Sequence, residues 1–247
     1  MHVTIESVVL LLAAGLGAGL IGYLTGLASL VSYPALLAVG LGPLSANVTN
    51  TLSLVGVGAG ATLRAGREAG ASGRRRTIQQ CVVCALGGTT GAIALLATGE
   101  QAFEAIVPWL IAFASLTLLA SPRIRTLRGK DEKWPAYLAV LFVVCVYGGY
   151  FGAGAGVVYF AVVLVLTNFE WSQTVLMKTI LLSVSNLAAS LVFIGFAPVD
   201  WLAAGIMFVG QLAGGNLGPL VQRYVPEKVS RWVIAAAGFY LAWSLLP

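Results

Sequence analysis

The sequence is poor in charge, and poorest where it is most apolar. Charged residues make up 9% of 247 positions, 59% are hydrophobic, and the mean hydropathy is +0.93. Such a composition leaves little room for a soluble domain and predicts an all-α polytopic membrane protein. No carboxylate stands well inside an apolar run, since Glu100, Glu104, Glu170 and Asp200 all sit at ends. A relay of buried Asp or Glu protons is therefore not expected. His2 is the single histidine, which argues against a histidine-based metal site. Cys81, Cys84 and Cys145 lie in apolar runs, and Cys81-x-x-Cys84 has no second pair or histidine cluster beside it. All three read as small buried hydrophobes. There is no phosphate-loop signature, and Gly149-x-x-Gly152-x-Gly154-x-Gly156 lacks the strand, helix and acidic partner of a dinucleotide fingerprint. No nucleophile–base pair is present either. These absences exclude ATP drive within the chain, speak against an enzyme, and leave no cofactor to expect.

Glycine, by contrast, is abundant, with 30 residues. The chain centres on Tyr147-Gly148-Gly149-Tyr150-Phe151-Gly152-Ala153-Gly154-Ala155-Gly156, inside an apolar run from about Trp134 to Thr167. That run exceeds the roughly 20 helical residues that cross a bilayer core. Glycine weakens a helix interior more than any residue but proline. One reading is two half-helices meeting at a glycine break in the protein interior; the other is close helix packing on small residues. The first long run, Val8–Gly40, holds a similar stretch at Gly22-Tyr23-Leu24-Thr25-Gly26-Leu27-Ala28-Ser29, with Pro34 behind it. It is far longer than the apolar core of a signal peptide. The remaining runs are Ser45–Leu63, Ile78–Thr98, Phe103–Ala120, Ser172–Phe196, Trp201–Gln222 and Trp232–Leu246, joined by short turns.

A formal charge of +5 invites a nucleic-acid partner, but its distribution speaks against one. Of 14 Lys and Arg residues, all but Lys178 fall in Arg64–Arg76, Arg123–Lys133 and Arg223–Arg231. Clusters of this kind at membrane edges are orientation signals. The segment Arg123–Lys133 divides a single integral membrane domain, 1–247, into repeat 1 (about 1–122) and repeat 2 (about 134–247). Sliding the chain by 127 residues lays Gly22-Tyr23 on Gly149-Tyr150, Ser45 on Ser172 and Val48 on Val175. If each long run enters, breaks and returns on one side, every clustered cation falls on the cytoplasmic side. Glu100, Glu104, Asp200 and both termini then fall outside, and the repeats are inverted, as in many secondary transporters. The competing topology has one arm of each broken pair cross fully.

The order of motifs resembles the sulfite exporter TauE/SafE family (TSUP). The matching pieces are Gly22-x-x-x-Gly26 with Pro34, Ala46-Asn47-Val48-Thr49-Asn50-Thr51, the Tyr147–Gly156 stretch, Lys178, Val199-Asp200-Trp201 and Gly214-Gly215-Asn216-Leu217-Gly218. Leu27-Ala28-Ser29 departs from a glycine-rich family pattern, and Ala161 stands where proline is common; both bear on substrate more than on fold. The resemblance implies movement of sulfite, sulfonates or related small anions across a cell membrane.

Candidate substrate contacts follow from these residues. Lys178 is the one cation inside a run, either snorkelling to the interface or reaching an anion in a cavity; the family position favours the second. Ser29, Ser32, Asn47, Asn50, Thr51, Asn186, Gln211 and Asn216 are polar residues within runs, able to bind substrate or to join helices. Gly26, Gly152, Gly154 and Gly156 mark the breaks, where half-helices starting near Ser29 and Gly154 would offer unpaired N–H groups and positive dipole ends to an anion. The expected function is export of small sulfur-containing or organic anions by alternating access around the two breaks. An anion channel and a cation-coupled anion importer are the alternatives. The expected partners are a small anion and the lipid bilayer, with a homo-oligomer open and no nucleic acid.

Overall fold

The computed structural model describes residues 4–66, 73–124, 133–169 and 171–221, together with 232, 236, 239, 240 and 242–244. Both chain termini, much of the basic segments and most of the last apolar run lie outside the described residues. Among those described there are nine continuous helices and no strand: α1 (Ile5–Thr25), α2 (Ser29–Ala38), α3 (Pro43–Ala65), α4 (Arg74–Thr98), α5 (Glu100–Ile124), α6 (Trp134–Tyr150), α7 (Ala155–Leu166), α8 (Trp171–Phe196) and α9 (Trp201–Val221). Helix starts carry ordinary capping chemistry. Thr4 accepts from the Ser7 amide at 3.2 Å, Pro43 opens α3, and Asp200 accepts from the Ala203 amide at 2.9 Å at the head of α9. Capping accounts for the acid of Val199-Asp200-Trp201.

Both long apolar runs are broken, the first between Thr25 and Ser29, the second between Tyr150 and Ala155. The arms are unequal. At 1.5 Å per residue α1 is roughly 30 Å long and α2 only about 15 Å, so α1 is not the half-helix that the sequence suggests. Gly15, Gly19 and Gly22 stay helical because packing uses them. A Cβ on Gly15 would lie 2.7 Å from Met207 O, and one on Gly19 2.6 Å from Gln211 O. Close backbone contact thus runs along α1 and α9 in the same sense, ending where Gly218 meets the ring of Tyr23. Gly56 and Gly60 of α3 seat on Phe208 and Leu212 of α9, again in the same sense. Gly87 and Gly91 of α4 do likewise on α6, against Cys145 and Val146. These are small-residue helix interfaces of the kind bilayers favour. Both readings of the glycines therefore hold, at different positions.

The helix senses define two edges. At one, Ser45 donates to Pro198 O (2.8 Å), the Asp200 amide donates to Thr49 Oγ1 (3.0 Å), and Gly42 approaches Glu100. At the other, Arg64 donates to Asn216 Oδ1 (3.0 Å) and Arg76 lies 4.6 Å from the Trp134 ring, whose Nε1 donates to Gln79. The amide of Lys133 donates to Leu166 O at 2.9 Å, so α6–α7 leaves from and returns to this second, basic edge. The pair α1–α2 instead starts and ends at the edge of Pro43 and Asp200, because α1 and α3 both run parallel to α9.

Polarity is distributed as a bilayer demands. Leu191 (66% exposed), Val209 and Trp109 face outward, while Asn47, Asn50, Gln80, Lys178 and Gln211 are wholly buried. Ile5–Thr25, Arg74–Thr98, Gln173–Phe196 and Trp201–Val221 are long and apolar enough to span. This is a multi-pass membrane protein. Cys84 and Cys145 are buried as packing residues, and Cys81 is partly buried.

Gly19→Val should destabilise the protein, by about 1–3 kcal/mol if it behaves as an overpacked core, because its side chain meets α9 backbone. Gly205→Ala, on the same helix pair but with nothing near its Cβ, should be neutral. Thermal denaturation in detergent compares the two, and equal melting temperatures would remove Gly19 from an interface.

Candidate functional site

At the first break α1 closes on Gly26, whose φ of +79° places it in the left-handed region and whose N–H bonds Gly22 O at 2.9 Å. At the second, the amides of Phe151 and Gly152 both bond Tyr147 O (3.0 and 3.1 Å), and Gly152 and Gly154 have φ of +80° and +82°. The Tyr147 hydroxyl donates to Ala153 O across this turn. Left-handed backbone favours glycine at all three positions. The two breaks touch. An ideal Cβ on Gly26 would collide with the backbone of Gly156, and one on Gly156 with the backbone of Gly26. A Cβ on Gly154 would lie 3.0 Å from Ala114 on α5. Neither α2 nor α7 has a side chain capping its N-terminus.

A cavity of about 40 Å³ lies where the breaks meet. By the measure that gives a water about 10–15 Å³, it holds a few waters or a small ion. Gly22, Gly26, Ala28 and Ser29 line it from the first hairpin and Gly152 from the second. Leu54 and Val57 close it from α3, and Lys178, Thr179, Leu182, Ser183 and Asn186 from α8.

Lys178 does not snorkel. It is fully buried, donates to Gly22 O at 2.8 Å and to Tyr23 O, and lies 5.1 Å from the Phe160 ring. Its ammonium thus both lines the cavity and holds the C-terminal carbonyls of α1. Asn47 acts similarly at the other break, its Nδ2 donating to Tyr150 O at 2.9 Å, while its buried Oδ1 has no partner among the described residues. Asn50 donates to Ser29 Oγ at 3.1 Å and pairs through Oδ1 with the Ser32 hydroxyl, tying the start of α2 to α3.

Gly26, Ser29, Gly152 and Lys178 line the cavity, as does Asn186 from the wider set of polar residues within runs. Gly154 and Gly156 shape the breaks, and Asn47 and Asn50 hold them. The remaining three neither line the cavity nor bond a break. Thr51 bonds Asn47 O within its own helix, Asn216 joins Arg64 to Gly60 O at the basic edge, and Gln211 is buried on α9 with neither side-chain polar atom partnered among the described residues. Thr179 and Ser183 escaped the sequence reading, and Asn186 was only one polar residue among several. Their signal is the spacing i, i+4, i+7, one face of a helix, which Lys178 should have prompted.

Broken helices meeting at a cavity lined in part by polar side chains, inside a multi-pass helical protein, are the build of a membrane transporter. Comparison with known proteins agrees and is more specific. The chain belongs to the sulfite exporter TauE/SafE family, whose family model matches residues 11–245. It is 27% identical over 233 residues to the probable membrane transporter protein YfcA of Escherichia coli K12, covering 93% of this chain and 86% of the relative. A probable membrane transporter protein of Haemophilus influenzae is 26% identical over 225 residues, covering 88% and 86% of the two chains. The probable membrane transporter protein ORF9 of a Sinorhizobium species is 26% identical over 239 residues, covering 96% and 91%. No solved structure gives a significant match. The protein is a membrane transporter, not an enzyme.

Gly156→Val should abolish transport while the protein still reaches the membrane, because the side chain enters backbone of the opposite break. Gly195→Ala, in open space, should transport normally. Solute flux in vesicles matched for protein content distinguishes them; normal flux by Gly156→Val would mean that the breaks need not touch.

Proposed function

We propose that this transporter exports small sulfur-containing oxyanions or organic sulfonates by alternating access around the cavity between the two breaks. The observation that carries the reading is the cavity's lining: a buried ammonium, Ser29, Thr179, Ser183 and Asn186, with two helix starts uncapped by side chains beside it. Ammonium, hydroxyl and amide groups donate hydrogen bonds to anions, and helix N-termini add positive potential. Among the described lining residues there is no carboxylate to repel one.

We read the halves, about 1–122 and 134–247, as inverted repeats. In support, α1 packs on α9 as α6 packs on α4, and the hairpins α1–α2 and α6–α7 open toward opposite edges. The positive-inside bias makes the edge of Arg64, Arg74–Arg76 and Lys133 cytoplasmic. An anion leaving through an inside-negative potential gains about 2.3 kcal/mol per charge per 100 mV, so efflux needs no buried proton carrier.

Two experiments test this. In a thermal-shift panel of sulfite, sulfate, thiosulfate, taurine and sulfoacetate on purified protein, at least one should stabilise the wild type in a saturable way, and proteoliposomes should release it faster than empty liposomes. Stabilisation by none of the five would end the anion reading. For orientation, single cysteines in a cysteine-free background at positions 200 and 74 should react with an impermeant maleimide only from outside and only from inside, respectively. The reverse pattern would invert the assignment and with it the direction of export.

A further inference from the structure

The cation held at the end of α1 bears on how transport is energised. Gly22 O, which also accepts the Gly26 amide, and Tyr23 O belong to the last turn of α1, where the helix presents carbonyl acceptors with spare lone pairs and partial negative charge. In transporters with broken helices, carbonyls at such C-terminal ends are where a coupling cation is coordinated. Here the position is filled from within the chain, by the Lys178 ammonium at 2.8 Å from Gly22 O and also bonded to Tyr23 O. An ammonium is a compact unit charge liganded by oxygen, chemically close to a small monovalent cation. The corresponding carbonyl of the second break, Tyr150 O, accepts the neutral amide of Asn47, with no cation on it among the described residues. The charge therefore sits at one break only, on the wall of the cavity.

We propose that Lys178 is a tethered cation that takes the place of a coupling ion, so that this transporter works without bound Na⁺ or K⁺. Taken with the anion reading above, on which this consequence rests, only the charge of the anion crosses the membrane in each cycle. Transport is then electrogenic, and the membrane potential drives it outward. The inference also predicts a latent cation site: shortening Lys178 removes the ammonium from Gly22 O and Tyr23 O and opens a space beside them that a small cation can enter.

The test uses purified full-length protein without any anion substrate, so it stands apart from substrate identity. In choline medium the melting temperature of Lys178→Ala should fall below that of the wild type, and added Na⁺ or methylammonium should raise it in a saturable manner. The wild type should not respond to exchange of choline for Na⁺ or K⁺. Lys178→Met, which refills the space without charge, should be destabilised and unresponsive. A wild type stabilised by Na⁺ or K⁺, or a Lys178→Ala that no small cation restores, overturns the proposal. Should Lys178→Ala not fold, the wild type decides through sulfite binding measured in choline, Na⁺ and K⁺ media. Equal affinity within twofold is expected, and a requirement for Na⁺ or K⁺ defeats it. Failure of every anion in the panel to bind, with cation rescue of Lys178→Ala intact, would instead count against the anion reading and leave the tethered cation standing.

Discussion

Two stretches of backbone without side chains meet at the centre of this protein, and the rest of the architecture serves that meeting. Gly26 and Gly156 approach so closely that a single Cβ on either would enter the other's main chain. Left-handed glycines on each side, Gly26 in one chain segment and Gly152 and Gly154 in the other, turn the chain there. A bilayer does not tolerate broken helices facing lipid, since their freed amides and carbonyls would lack partners. The breaks are therefore buried by α3, α8 and the two long hairpin arms, and the small space left between them carries polar side chains of α8 and α2 on an otherwise apolar background.

The freed ends are satisfied crosswise. Asn47, on a helix of the first half, bonds the last carbonyl of α6; Lys178, on a helix of the second half, bonds carbonyls in the last turn of α1. Tyr23 and Tyr150, whose carbonyls accept these bonds, are the residues that a shift of 127 positions superposes. The two donors differ in charge, and that difference makes the site electrostatically lopsided: a full positive charge stands at one break and a neutral amide at the other. Burying an ammonium in a membrane interior is costly. The negative end of α1 and the ring of Phe160 lower that cost here.

Much of this was legible in the sequence because bilayers impose long, simple patterns. Seven of the eight apolar runs correspond to the described helices with small shifts in their ends, the last run lying mostly outside the described residues, and the two runs too long for one crossing are the two that break. Which glycines break and which pack was not legible, because both uses need the same residue. Gly15 and Gly19 face a neighbouring backbone while Gly26 turns the chain, and only the partner helix distinguishes them. Lys178 stood out because a charge in an apolar run is conspicuous. Thr179 and Ser183 did not, since hydroxyls are common in membrane helices and nothing marks one as facing a cavity until the helix is placed. Asn216 misled for a related reason: it sits within a glycine motif whose glycines serve packing, and its own side chain binds Arg64 at the basic edge.

The crosswise bonds also limit how such a protein can move. Because each broken hairpin is held by a long helix of the other half, rocking one half against the other has to carry the partner's donor with the break or exchange that bond. Exchange is easier at the second break, where a neutral amide lets go of one carbonyl, than at the first, where an ammonium would be left without its two oxygens. The interface of Lys178 with α1 is thus the stiffer joint, and in the proposed alternating-access cycle α8 and α1 should travel together. The contact of Asn47 with Tyr150 is the one able to open. An anion entering beside Lys178 would be bound against a joint that stays closed, with the second break yielding on one side of it. That arrangement would give the cavity a fixed positive wall and a movable one, as the proposed alternating access requires of a single small site.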